Sequence, residues 1–244
     1  SVEHLTKTYE NGSGATLALA DVSLEVEEGA FVVVLGPSGC GKTTLLQIVA
    51  GLETPTNGTV LLRGRPIHGW SRERTLVFQE GNLFPWLTAR DNVAFGLRVQ
   101  GAKLEEQHAV AHRLLSDLGM GGYEHLYPHQ LSGGMCQRVA IARALAVNPE
   151  VLLLDEPFAS VDALTRTRLQ EELLRLWREY RKTVLFVTHN IREALLLADR
   201  IVLLTSRPGR IRICFDLDLA RPRQAHHAEL AAWEERIERE FSFH

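Results

Sequence analysis

Apolar and polar positions along this chain follow two periods, and the switches between them mark out strands and helices. Val2 to Tyr9 reads as β-structure, and Val22-Ser23-Leu24-Glu25-Val26 alternates strictly, as a half-buried strand does. Phe31-Val32-Val33-Val34-Leu35 is an unbroken apolar run, the pattern of a strand buried on both faces. Leu45-Leu46-Gln47-Ile48-Val49-Ala50 follows as an apolar helical stretch, and Thr59 to Arg63 and Thr75 to Gln79 read as short strands. From Thr88 to about Leu118 the period becomes helical. Asn92, Val93, Phe95 and Gly96 lead into Leu97, and a second helix is predicted from Leu104 to Leu118 with acidic residues in its first turn. Val139 to Ala146 predicts another helix. Three strongly apolar strands then follow, Val151 to Leu154, Thr183 to Val187 and Ile201 to Leu204, with helices between them, which is the rhythm of a parallel sheet. The helix from Ala163 to Tyr180 brings Leu169, Leu173, Leu176, Trp177 and Tyr180 to one face as core. Beyond Ser206 the pattern predicts a strand at Arg210 to Asp216, a break at Arg221-Pro222-Arg223, and a helix from about Ala228 to Phe241. The fold class is α/β.

Between the first buried strand and its helix stand Gly36-Pro37-Ser38-Gly39-Cys40-Gly41-Lys42-Thr43. Strand, glycine loop and helix in that order form the phosphate cradle of nucleoside triphosphatases, the P-loop. Its glycines let backbone N–H groups turn inward around phosphate oxygens, and the positive end of the following helix points at the same anion. Lys42 adds a full charge that reaches the β- and γ-phosphates, and Thr43 offers a hydroxyl to a magnesium ion. Cys40 lies inside the cradle, where a bulky adduct on its thiol is expected to block the site.

Two more strands end in chemistry. Val151 to Leu154 runs into Asp155-Glu156-Pro157, and ligands of open α/β sheets gather at the carboxyl ends of strands. Successive strand residues face opposite sides, so the two acids are expected to divide their work. One can orient a magnesium shell, and the other can position or deprotonate an attacking water. His189 closes the strand Thr183 to Thr188 on the same edge and is a candidate γ-phosphate contact. Asn190 then reads as a helix cap with Glu193 as its capping-box partner.

The 244 residues suit one large α/β domain, or one domain with a small appendage. A net charge of −3 gives no sign of a nucleic-acid binder. Three scattered cysteines, Cys40, Cys136 and Cys214, form neither a disulfide framework nor a metal spacing, and they fit a reducing cytosol. No secretory leader is expected. Apolar runs stop at about six residues, far short of the ~20 that a membrane span needs, so any membrane role is expected to come through a partner.

Leu131-Ser132-Gly133-Gly134-Met135-Cys136-Gln137-Arg138 completes the set. With the P-loop and the acid-tipped strand in this order, the chain resembles the ATP-binding cassette (ABC) family, whose Leu-Ser-Gly-Gly signature is a second anion site at a helix start. The resemblance covers the whole chain. It implies a P-loop NTPase cassette over residues 1–205, with a mostly parallel core sheet, an N-terminal antiparallel β subdomain and an α-helical signature subdomain at about 85–148, followed by a short extension, 206–244. It implies ATP and Mg2+ as ligands. Tyr9 matches the aromatic that stacks on adenine, and Gly36 to Thr43 with Thr44 match the phosphate contacts. Gln79 matches the glutamine that contacts magnesium and water, and Asp155 the magnesium carboxylate. Glu156, with His189 and Gln79, matches the group that supports attack by water. Cassettes of this family pair head to tail, so Ser132, Gly133, Gly134, Met135 and the D-loop aspartate, Asp162, are expected to serve the nucleotide of a partner cassette, the partner being a copy of this chain or a related cassette. Met135 and Cys136 depart from the glutamine and polar or basic residues usual there, and Asn190 from the usual aspartate; none of these removes an essential group.

Within the family, Gly81-Asn82-Leu83-Phe84-Pro85-Trp86, Asp91 to Leu97, Asp162 to Arg166 and Ser206-Arg207-Pro208-Gly209-Arg210 resemble the ATPase subunits of bacterial nitrate, sulfonate and taurine importers, the taurine type most of all. That implies permease partners in the membrane, a periplasmic or extracellular substrate-binding protein, and a peripheral position on the cytoplasmic face of the plasma membrane, with no nucleic acid. Leu83, Phe84 and Trp86 fall where the family receives a coupling helix of the permease. An ABC importer ATPase for another solute is the alternative, then a soluble ABC ATPase. A GTPase is disfavoured by the lack of an Asn-Lys-x-Asp guanine motif.

Overall fold

The N-terminal alternation folds as a hairpin, β1 (Val2–Asn11) antiparallel to β2 (Gly14–Leu24), with Val2 opposite Leu24 and Asn11 opposite Gly14. β2 begins well before Val22. Ala15 to Ala20 is alanine-rich and weak in strand propensity, so pairing with β1 supplies what the side chains do not. The unbroken apolar run is β3 (Phe31–Leu35), buried at every residue, and α1 (Lys42–Ala50) follows the glycine loop. β4 (Asn57–Leu62) and β5 (Arg65–Pro66) complete an antiparallel sheet in the order β2-β1-β4-β5. β6 (Arg74–Val77) stops short of Gln79. α2 (Ala89–Val99) is capped by Thr88, whose hydroxyl accepts the Asp91 N–H at 3.1 Å, and α3 (Leu104–Asp117) carries Glu105 and Glu106 in its first turn, favourable to the helix dipole. α4 (Gly133–Ala146) starts at Gly133 rather than Val139, because the Ser132 cap outweighs the poor helix propensity of two glycines. β7 (Val151–Asp155), α5 (Ala163–Tyr180), β8 (Thr183–Thr188), α6 (Ile191–Leu197), β9 (Arg200–Leu204), β10 (Ile211–Asp216) and α7 (Ala228–Ser242) complete the chain.

The computed structural model describes residues 1–12, 14–223 and 228–242, and two units are distinguishable in it. One comprises residues 1–71 and the chain from 183 onward. Besides the antiparallel sheet it holds the strands β10-β9-β3-β8, in which β9, β3 and β8 are parallel and β10 joins β9 antiparallel. The other comprises residues 72–182, where β6 and β7 pair in parallel and α2, α3 and α5 contact α4. α4 is buried along most of its length, including Val139 to Ala142 and Ala144 to Ala146, and forms the core of this unit. On α5, Leu169, Leu173 and Leu176 are buried as expected, whereas Trp177 and Tyr180 are only half-buried. The Tyr180 hydroxyl donates to Asp117 Oδ2 at 3.1 Å, which keeps its polar end at the rim.

Candidate functional site

In the first unit, parallel pairing sets Leu35 of β3 opposite Thr188 of β8. The chain therefore leaves both strands at one level, into the glycine loop after Leu35 and into His189 after Thr188. Gly41 closes the loop with φ at +98°, and a Cβ there would lie 2.7 Å from Leu19 Cδ2 and 2.8 Å from the Ala18 carbonyl oxygen. Only glycine fits, and its absent side chain lets the chain turn directly into α1. Pro37 is half-buried and Ser38 and Gly39 are exposed. Lys42 is 4% exposed, and its Nζ donates to the Gly36 and Pro37 carbonyls at 2.8 and 2.9 Å. The ammonium thus lies along the loop at the positive end of α1, where an anion is favoured. Thr43 is exposed. Thr44 Oγ1 stands 3.5 Å from the Tyr9 hydroxyl, which brings the aromatic of β1 beside the loop's helix, and the Lys7 ammonium lies 4.8 Å from the centre of that ring.

The Cys40 thiol is turned inward. The residue is 1% exposed, and a Cβ on Gly36 would meet its Sγ at 2.7 Å. An adduct on Cys40 therefore requires the loop to open first, a barrier that the sequence did not reveal.

His189 is exposed. The helix after it is capped as expected at Asn190, whose Oδ1 accepts the Glu193 N–H at 3.2 Å. The expected return contact from Glu193 runs through Thr188, whose hydroxyl donates to Glu193 Oε2 at 2.7 Å and accepts the Asn190 N–H at 3.0 Å. The far end of α6 is held by a segment that the apolar pattern marks only by the Arg-Pro-Arg break. Arg223 donates to the Leu195 and Ala198 carbonyls at 2.8 and 2.6 Å, and Arg221 pairs with Asp199 and donates to the Leu197 carbonyl. Burial, then the neighbouring Arg221, pushes the Arg223 pKa down to about 10, which leaves it charged at neutral pH to complement the helix's negative end.

In the second unit, parallel pairing sets Val77 of β6 opposite Leu154 of β7, so Gln79 and the acid pair follow from one edge. Asp155 is the last residue of β7 and is 6% exposed. Glu156 has already left the strand. Its φ is +42°, and it is half-buried. Strand alternation therefore does not separate the two acids; a left-handed backbone at Glu156 does, a conformation that a non-glycine residue holds only where its surroundings impose it.

Gln79 is exposed at the start of a loop held in place by two residues whose anchoring role was not predicted. Asn92 is 0% exposed. Its Oδ1 accepts the Phe84 N–H at 2.8 Å, and its Nδ2 donates to the carbonyls of Phe84, Leu87 and Thr88 at 3.2, 3.1 and 3.0 Å. Arg143 donates to the Gly81 and Asn82 carbonyls at 2.7 and 2.8 Å, and burial lowers its pKa. The Phe84 ring packs against Phe95, with centroids 4.5 Å apart, and under the Arg143 guanidinium. Trp86 is 70% exposed. Of the aromatics nominated for docking, Phe84 anchors the loop and Trp86 offers the free surface.

Ser132 and Gly133 are exposed. Ser132 Oγ accepts the Met135 N–H at 3.3 Å as the cap of α4, and Met135 is half-buried. Gly134 is buried, and a Cβ on it would meet Thr165 Cγ2 at 2.7 Å, so the signature turn lies against the start of α5. Asp162 caps that helix. It is exposed, and its Oδ1 accepts the Thr165 N–H at 3.1 Å, a bond that holds its carboxyl below the ordinary carboxylate value. Arg138 clamps α4 to α5 through two bonds to Glu172, at 2.9 and 3.0 Å. The signature turn and the Asp162 turn thus form one solvent-facing corner.

Among the described residues, no group of three or more His, Cys, Asp or Glu could hold a metal ion by itself. Thr43 in the first unit, and Gln79 and Asp155 in the second, each carry a side-chain oxygen, the donor type that suits Mg2+ together with phosphate oxygens and water.

The family model described as ABC transporter matches residues 19–159. The chain belongs to the ABC transporter family. Over 236 residues it is 50% identical to an uncharacterized ABC transporter ATP-binding protein of Methanocaldococcus jannaschii, covering 97% of this chain and 88% of that one. It is 48% identical over 220 residues to the taurine import ATP-binding protein of Escherichia coli, covering 90% and 85%. Among solved structures, a dimeric ATP-binding cassette in a post-hydrolysis state bound to ADP and Pi matches with a TM-score of 0.80 and 35% identity, covering 90% of this chain and 99% of that one. The α/β architecture is therefore that of the ABC cassette, and the chain is an ABC transporter ATPase. Among the described residues, no helix of this ABC transporter ATPase is long and apolar enough to cross a membrane.

Proposed function

We propose that this ATPase energises import of a small anion such as taurine, an alkanesulfonate or nitrate. The observation that carries the proposal is the identity of 46–51% to several taurine import ATP-binding proteins over most of the chain. An importer for another small solute is the second reading, favoured by the more extensive match, 97% of this chain, to an archaeal relative whose name states no cargo.

In this proposal Gly36 to Thr44 cradle the triphosphate, Lys42 neutralises its outer phosphates, and Tyr9 stacks on the adenine. Thr43, Gln79 and Asp155 would hold Mg2+, which would supply charge neutralisation to the phosphates. Glu156 orients the attacking water and takes its proton, and Gln79 and His189 fix that water and the γ-phosphate. Ser132, Gly133, Gly134, Met135 and Asp162 meet the nucleotide of a second copy of the chain; the solvent-facing signature corner and the dimeric state of the matched cassettes support that pairing. Closure of the pair is transmitted to permease subunits through the loop carrying Trp86, at the cytoplasmic face of the membrane, and a substrate-binding protein delivers cargo on the opposite side.

The test is reconstitution in nanodiscs with the permease and binding protein of a taurine importer. Taurine-loaded binding protein should stimulate ATP hydrolysis above the unloaded protein, with sulfonate and nitrate as comparisons. Stimulation only by an unrelated solute would overturn the cargo class, and hydrolysis indifferent to any permease would overturn transport.

A further inference from the structure

We propose that the turn joining β9 to β10 is part of the phosphate site, and that Arg207 is a second cation, beside Lys42, bearing on the bound phosphates. This rests on the glycine loop being the ATP cradle. The turn is cross-linked by its own hydrogen bonds. The Thr205 N–H donates to the Arg210 carbonyl at 2.9 Å, the Thr205 hydroxyl donates to the Pro208 carbonyl at 2.9 Å, and the same hydroxyl accepts the Arg210 N–H at 3.0 Å. It is also tied to β2, through Gly209 N–H to the Ala18 carbonyl and Ala20 N–H to the Gly209 carbonyl, both at 2.9 Å. Gly209 is buried so closely on the cradle that a Cβ would lie 2.1 Å from the Cys40 carbonyl oxygen. No side chain can enter there without moving one backbone or the other.

This mount carries a free charge. Arg207 is exposed, and its Nη2 comes within 3.5 Å of where a Cβ on Gly39 would stand. Among the described residues its guanidinium makes no hydrogen bond and no ion pair. A structural arginine spends its donors on carbonyls or carboxylates, as Arg143 and Arg223 do. Arg207 instead presents its donors uncommitted at the exposed rim of an anion cradle, the arrangement that attracts phosphate through both charge and hydrogen bonding.

The experiment is a fluorescence titration of the full chain with ATP and ADP analogues, at about 0.02 M and about 0.5 M salt, for Arg207→Ala, Arg207→Lys and Lys42→Ala. Arg207→Ala should weaken ATP about 3–10-fold at low salt, weaken ADP less because it carries less charge, and approach wild type at high salt. Arg207→Lys should retain most of the affinity. Unchanged ATP affinity in Arg207→Ala, with Lys42→Ala impaired, would overturn the proposal and leave the cradle standing. Loss in neither variant would overturn the cradle itself. An equal, salt-independent loss in both Arg207 variants with a lowered melting temperature would show that the arginine only supports the fold, and would likewise overturn the proposal.

Discussion

Replacing Asn92 by alanine should unfasten the loop after Gln79 and lower stability by about 2–4 kcal/mol. Asn92 is buried and makes four bonds to that loop and its helix cap. Two of the four partners keep another donor, since the Phe84 carbonyl also accepts the Leu87 N–H at 3.1 Å and the Thr88 carbonyl accepts the Asn92 N–H at 2.9 Å. The loss therefore concentrates on the Phe84 N–H and the Leu87 carbonyl. A part-buried N–H left unpaired costs about 1–3 kcal/mol, and a lost neutral hydrogen bond about 1 kcal/mol more. Asn92→Asp should be at least as harmful, because it sets a carboxylate oxygen where the amide nitrogen faced three carbonyls. Urea denaturation of the three proteins measures the effect. Hydrolysis should fall as the loop after Gln79 loosens. A loss below about 0.5 kcal/mol in both variants would refute the reasoning, for it would mean that water replaces Asn92 without penalty.

Glu156→Gln should bind ATP yet hydrolyse it at least ~100-fold more slowly, with a lasting dimer on gel filtration in ATP; monomer with turnover intact would contradict the assigned role. Limiting maleimide should modify exposed Cys214 before buried Cys40 and leave hydrolysis unchanged at the first adduct, as peptide mapping against activity would show. Hydrogen bonding from Thr165 holds the folded pKa of Asp162 below its ordinary 3.8. The charged cap's contribution is therefore complete above that value and fades as pH falls through the lower folded pKa. The stability difference between wild type and Asp162→Asn should stay flat near neutrality and shrink in acid; a difference that grows in acid would reverse the sign.

Motif chemistry was legible in the sequence because its parts are local. Gly36 to Thr43 needs only a strand before it and a helix after it, and β3 and α1 lie where the pattern of apolar residues sets them. The same holds for β7 before Asp155, β8 before His189, and α5, which spans Ala163–Tyr180 as predicted. Local spacing could not decide what depends on distant backbone. It mistook the start of β2, which pairing with β1 fixes, and of α4, which the cap at Ser132 sets ahead of the apolar pattern. It assigned the division between Asp155 and Glu156 to strand alternation when a left-handed turn makes it. The anchoring roles of Asn92, Arg143 and Arg223 were not foreseen, because a buried polar side chain that bonds to backbone groups leaves no periodic trace in the sequence, least of all when, as for Arg143 and Arg223, the carbonyls lie many residues away. Candidate phosphate-handling groups could be read from the chain because they depend on residue types in short order. Tertiary structure alone decided which of them stay exposed, which are fastened, and that the turn at Gly209 rests on the cradle at Cys40, since those follow from long-range packing of the backbone.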